Sequence, residues 1–132
     1  MMYLLDTNVW LERLLNQEKS AQVEKLLAKV PSEKINMTDF CFHSISITLI
    51  RLKKSADLLK FIRDAFIDGS VGLIRLSPRD TDLIIRAQEK FGLDYDDAYQ
   101  YVAAEKLSLQ LVSFDADFNK TAKGKKTPGE II

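Results

Sequence analysis

Short apolar runs alternate along the chain with longer stretches of helical period. Tyr3-Leu4-Leu5 is an apolar run that stops at Asp6, and it reads as a buried strand. Thr7 and Asn8 can cap the next element, a short helix over Val9 to Leu15. Val23, Leu26, Leu27 and Val30 fall at i, i+3, i+4 and i+7, one face of a second helix that Pro31 ends. Lys34 to Met37 is a short strand. Thr38 or Asp39 then caps a helix running to about Leu52, with apolar residues on most sides and so deeply packed. Leu58, Leu59, Ile62, Ala65 and Phe66 mark a further amphipathic helix, closed by Gly69.

The second half repeats the alternation. Val71 to Leu76 reads as a strand. Ser77-Pro78-Arg79-Asp80 is a helix start, with an N-cap Ser, Pro at the first helical position and an acid in the first turn. Leu83, Ile84, Ala87 and Phe91 supply the apolar face of that helix, and Gly92 ends it. Asp94 caps the next helix, Tyr95 to Leu107. Leu109 to Ser113 is another buried strand, and Phe114 to Lys126 is mostly loop. Thr127-Pro128-Gly129-Glu130 opens a last helical turn, unless Ile131-Ile132 forms an edge strand instead. Strands that alternate with helices predict the α/β class with a mostly parallel central sheet, in one domain over 1–132.

In such a sheet the parallel strands end at one edge, where ligand sites gather. The acids fall at that edge. Asp6 ends the first strand. Asp39 follows the second and opens a helix. Asp94, Asp96 and Asp97 lie in the first turn of the helix before the last clear strand, and Asp115 and Asp117 follow that strand. Acids also cap helices and complement helix dipoles, which accounts for Asp39, Asp94 and Asp96 as well as function does. Asp6 and Asp115 are different. Each abuts an apolar strand, where an unpaired charge is costly.

Composition narrows the chemistry. The 132 residues make one domain's worth of length. Lys and Arg number 19, as do Asp and Glu, so the chain does not bind nucleic acid by net charge alone. One cysteine, Cys41, cannot build a disulfide framework or a Cys-based zinc site, and its Phe40 and Phe42 neighbours point to a buried thiol. The lone His43 makes a Ser/His/Asp triad an unpromising reading. No uncharged run approaches the ~18 residues of a membrane span, and the start lacks a basic leader, so the expected compartment is the cytoplasm. Converging carboxylates repel unless a cation neutralises them. With one Cys and one His, oxygen ligation of Mg²⁺ or Mn²⁺ is the favoured partner. Such a metal activates water, which suits phosphodiester hydrolysis without a side-chain nucleophile.

These residues resemble the PIN domain family. Leu4-Leu5-Asp6-Thr7-Asn8-Val9-Trp10-Leu11 is similar to that family's opening strand and first acid. Leu93-Asp94-Tyr95-Asp96-Asp97-Ala98 resembles its acid followed by Ala at a helix start. Leu111-Val112-Ser113-Phe114-Asp115-Ala116-Asp117-Phe118 resembles its strand with a Thr or Ser and one or two acids. The three occur in family order over nearly the full length. The resemblance implies a three-layer α/β/α sandwich and a metal-dependent ribonuclease. It further implies the VapC-like toxin of a type II toxin–antitoxin pair, acting on RNA, blocked by a small antitoxin and forming a homodimer. Carried over by position, Asp6, Asp97 and Asp115 would be catalytic, metal-binding acids and Asp117 a fourth. Asn8 and Ser113 would orient carboxylates or water.

One position departs. The family usually has a Glu in the helix after the second strand, and here that place falls near His43 or Ser44. Asp39, one turn earlier, could substitute. The gap keeps a second reading open, a catalytically weakened PIN-like module that binds RNA or protein. A phosphoacceptor receiver domain is a third small α/β possibility, but its acid pair after the first strand is absent. For RNA, Lys120, Lys123, Lys125 and Lys126 follow the acidic loop, and Arg51, Lys53 and Lys54 form a second basic cluster. Tyr95, Tyr99, Tyr101 and Phe118 could stack on bases or pack in the core.

Overall fold

The computed structural model describes residues 1–131. Four strands form one sheet in the order β3-β2-β1-β4, and every pairing is parallel. β1 (Tyr3–Leu5) lies between β2 (Ile35–Thr38) and β4 (Gln110–Val112), with β3 (Gly72–Ile74) beyond β2. Leu4 stands opposite Asn36 on one side and Leu111 on the other.

The two-residue period of a strand explains the layers. Leu4 and Leu5 are both wholly buried, yet they enter different cores. Leu5 and Val112 pack with Val9, Trp10, Val23, Leu26, Ile45, Leu49 and Phe61. Those residues come from α1 (Thr7–Leu14), α2 (Ser20–Lys29), α3 (Asp39–Arg51) and α4 (Ser55–Ile62). Leu4 and Leu111 pack with Ile84, Ala87, Ala98 and Val102 of α5 (Thr81–Phe91) and α6 (Tyr95–Lys106). Helices thus cover both faces, the arrangement that parallel strands require. The α/β/α sandwich expected from the sequence is the architecture observed.

Boundaries differ in instructive places. Helix α1 starts at Thr7, and its cap is Asp6 rather than Thr7 or Asn8, because the Asp6 carboxylate accepts from the Thr7 N–H. The stretch expected as one helix through Phe66 is α-helical to Ile62 and then widens into a π turn, Arg63–Ile67. Asp68 and then Gly69 follow, and a Cβ at Gly69 would lie 2.6 Å from the Asp64 carbonyl oxygen. Helix α5 ends at Gly92 with φ +66, the left-handed C-cap that glycine adopts without a steric penalty. The third strand is shorter than Val71 to Leu76, and Leu73 is exposed at this outer edge.

The region after β4 is more ordered than a loop. A 3₁₀ turn spans Ala116–Lys120, and Phe118 within it is wholly buried, so its ring belongs to the core and not to a base-stacking surface. The chain then returns beside β4. Lys126 N–H donates to the Leu111 carbonyl at 3.0 Å, and Ser113 N–H donates to the Lys126 carbonyl at 2.9 Å. The final turn α7 (Pro128–Ile131) is helical and contacts α2. Ile132, part of the alternative edge strand, lies outside the described residues.

This topology fixes where a site can form. From β1 the chain builds outward through β2 to β3, then crosses back to lay β4 on the other side of β1. The strand order reverses between β1 and β4, and the crevice beyond their carboxyl ends is where doubly wound sheets bind ligands. Asp6 leaves β1 there, and Ser113 leaves β4 there.

Candidate acidic metal centre

Asp6 sits in this crevice, 6% exposed. Both of its oxygens accept from the protein. Oδ1 takes the Thr7 N–H at 2.9 Å and the Gln100 amide at 3.0 Å. Oδ2 takes the Ser113 hydroxyl at 2.9 Å and, at the outer limit of a bond, the Asn8 amide at 3.5 Å. Burial pushes the Asp6 carboxyl above its ordinary pKa; hydrogen bonds from Gln100, Ser113 and Thr7 oppose that rise, and the nearby Asp115 charge adds to it.

Ser113, wholly buried, joins the two strand ends. Its hydroxyl donates to Asp6, accepts from Asn8 Nδ2 at 3.2 Å and accepts from the Asp115 N–H at 3.0 Å. One donor and two acceptor positions are all that a hydroxyl has, and all are used. Asn8 completes the ring by accepting from the Phe114 N–H at 3.1 Å.

Above this buried layer, Asp97, Asp115 and Asp117 each offer an oxygen within 4.8 Å of the others. Asp97 stands in the first turn of α6, its N–H held by the capping carboxylate of Asp94 at 2.9 Å. Asp115 caps the 3₁₀ turn by accepting from the Asp117 N–H at 2.9 Å, which brings Asp117 alongside. The Asp97 carboxyl is pushed up to about 7, first by burial, then by the charges of Asp94, Asp115 and Asp6. Three all-oxygen ligands that repel one another suit a hard divalent cation such as Mg²⁺ or Mn²⁺.

The remaining candidates lie elsewhere. Asp39 is exposed and is not a member of the three-acid group. Its carboxylate accepts from the Phe40 N–H at 2.8 Å and from the Tyr99 hydroxyl at 2.7 Å. His43 is exposed and Ser44 half-buried. Cys41 is the buried thiol that the sequence suggests, and burial pushes it up to about 12. Among the lysines, Lys120 lies 3.7 Å from Asp117, while Lys123 and Lys126 are exposed.

Two participants escaped the sequence reading. Gln100 is 1% exposed and links Asp6 to Thr38, whose hydroxyl donates to its Oε1 at 2.6 Å. The available signal was a lone amide three residues after Asp97, among Ala98, Tyr101, Val102, Ala103 and Ala104. Thr38 was visible only as a cap. It does cap α3, accepting from the Cys41 N–H at 3.0 Å, and its second role needs the tertiary structure.

The sequence matches the PIN domain family across residues 3–124. The chain belongs to the PIN domain family. Members of this family are generally nucleases, and the acidic cluster is consistent with divalent-metal use. Solved structures share the PIN fold at low identity. A protein from a toxin–antitoxin complex of Klebsiella pneumoniae is 17% identical with a TM-score of 0.77, over 96% of this chain and 97% of that one. FitAcB from Neisseria gonorrhoeae is 19% identical with a TM-score of 0.78, over 96% and 98%. VapC20 of Mycobacterium tuberculosis, described as a sarcin-ricin loop cleaving toxin, is 16% identical with a TM-score of 0.71, over 92% and 95%. No curated protein matches this PIN domain by sequence.

Proposed function

We propose that this PIN domain is a metal-dependent ribonuclease and the toxin of a type II toxin–antitoxin pair. The convergence of Asp97, Asp115 and Asp117 beside the buried Asp6, at the strand-order reversal, carries the reading. In it, Asp97, Asp115 and Asp117 hold Mg²⁺ or Mn²⁺, and Asp6 adds its charge from beneath. An ion held by these acids would supply an activated water and would offset charge on the phosphoryl oxygen. Ser113 and Asn8 keep Asp6 and the Asp115 backbone in register. Lys120, Lys123, Lys125 and Lys126 lie on the same loop as two of the acids and would meet the RNA backbone by charge. Asp39, held by Tyr99, is left outside the metal set.

The same reading supplies the partners. Structures of similar fold include a toxin–antitoxin complex, which supports a small antitoxin protein as the natural inhibitor. A homodimer is the proposed assembly. Among the described residues no helix is long and apolar enough to cross a membrane.

The test is RNA cleavage by purified protein with Mg²⁺, Mn²⁺ or EDTA, beside the Asp6→Asn and Asp97→Asn variants. Folded variants that no longer cleave, and a wild type silenced by EDTA, are expected. Metal-dependent cleavage retained in both variants would overturn the proposal. The absence of a carboxylate at His43 and Ser44 favours a second reading, the weakened binding module. Titration of Mn²⁺ separates the two, since no saturable binding is the module's outcome.

A further inference from the structure

Gln100 is a neutral side chain at the centre of an acidic site, and its orientation is determined. Thr38 caps α3 by accepting from the Cys41 N–H. Its proton goes to Gln100 Oε1 at 2.6 Å. With the carbonyl end committed, the amide end faces Asp6 Oδ1 at 3.0 Å. The flipped amide would set a carbonyl against the Asp6 carboxylate, so this is the orientation in which each contact pairs a donor with an acceptor. All three side chains are buried, which makes any mismatch costly.

The placement on α6 matters as much as the contact. Gln100 comes three residues after Asp97, so the two lie on one side of the helix, a turn apart. The same helix face therefore presents Asp97 to the open acid cluster and Gln100 to the buried acid below it.

We propose that Gln100 is a positioning residue for Asp6, with its own direction set by Thr38. The chain Thr38–Gln100–Asp6 keys β2, α6 and β1 to one another, so the separation between Asp6 and Asp97 is fixed by hydrogen bonds rather than by packing alone. The inference rests on the nuclease reading for its metal-binding consequence, but the hydrogen-bond chain has a signature of its own.

The experiment uses the full chain and four variants: Gln100→Met, Thr38→Val, Thr38→Ser and the double Gln100→Met/Thr38→Val. In metal-free wild type, the two Gln100 side-chain amide protons should give well-separated NMR signals that exchange slowly. Thr38→Val should collapse that separation, and Thr38→Ser should restore it. Mn²⁺ affinity, read by calorimetry, should fall about tenfold or more in Gln100→Met, the size of effect typical for groups that orient metal ligands. Thr38→Val should also weaken it, although Thr38 does not touch an acid, and should add nothing further in the Gln100→Met background. A merely structural role would give additive effects. Gln100→Met that binds Mn²⁺ within twofold of wild type overturns the proposal, as do Gln100 amide signals indifferent to Thr38→Val. Should the wild type bind no Mn²⁺, the nuclease reading fails and the amide signals alone decide the role of Gln100.

Discussion

Ser113 donates its hydroxyl proton to Asp6 across 2.9 Å, from the end of β4 to the end of β1. The same oxygen receives protons from Asn8 and from the Asp115 backbone. Ser113→Ala therefore strands three buried or half-buried partners at once. The expected cost is about 1–3 kcal/mol in urea-induced unfolding, with weaker Mn²⁺ binding. Ser113→Thr keeps the hydroxyl and should recover most of both. An alanine variant as stable as wild type, with unchanged Mn²⁺ binding, would show that this junction does not organise the site.

The raised carboxyl of Asp97 gives the metal-free protein a pH dependence of unusual sign. Its folded value, about 7, lies above the ordinary aspartate value, so the native state holds this proton more tightly than the unfolded chain does. The associated stability is complete below the unfolded pKa and is lost as pH rises through about 7. Urea unfolding in EDTA should therefore show a decline between pH 5 and pH 8, on the order of 1–2 kcal/mol after allowance for solvent screening. Asp97→Asn should flatten that slope. An unchanged slope in the variant would assign the decline to other groups.

Asp80 behaves in the opposite sense. It closes a capping box with Ser77 in the 3₁₀ turn Pro78–Asp80 that leads into α5, and accepts from Lys106 at the end of α6, with both oxygens within 3.0 Å of the ammonium. Its pKa is lowered, chiefly by the Lys106 hydrogen bond and then by the Ser77 N–H. The stability it contributes is present above the unfolded aspartate range and is lost as pH falls through the lowered folded value. Asp80→Asn should lower Tm at neutral pH and make the acid limb shallower than in wild type. Equal acid limbs in the two proteins would contradict this.

Asp39 offers a clean contrast with Asp97. If Tyr99 is its partner, Asp39→Asn should leave Mn²⁺ affinity within about twofold of wild type, whereas loss of a direct ligand costs far more. Tyr99→Phe should cost about 1 kcal/mol of stability, because the hydroxyl also accepts from the Leu76 N–H at 2.9 Å. A large affinity loss in Asp39→Asn would put this carboxylate in the metal set after all.

The layered fold was legible because each half of it is written locally. The apolar run Tyr3-Leu4-Leu5, the helical spacing from Val23 to Val30 and the Ser77-Pro78 start all rest on neighbours in sequence. The acids of the site were legible too, since strand ends and helix starts announce themselves. What could not be read was the buried connection. A glutamine in an alanine-rich helix looks the same whether it faces water or Asp6, and Thr38 looks like a cap because it is one. Their pairing spans 62 residues, and the contact to Asp6 spans 94. The π turn at Arg63–Ile67 was hidden for a different reason, since its apolar residues keep nearly the helical period.

The bond between Asp6 and Ser113 joins positions 107 residues apart. This gives the site a place in time. A ribosome adds Asp6 before any of the other acids and Asp115 and Asp117 only after β4 has been made, and Lys126 must still return to flank that strand. Until then β1 lacks the neighbour that defines the crevice, and Asp97 lacks Asp115 and Asp117. A growing chain of this topology cannot close the acidic cluster until the segment through Lys126 has left the ribosome. The order of synthesis alone delays the assembly of the acidic centre until its last strand is in place.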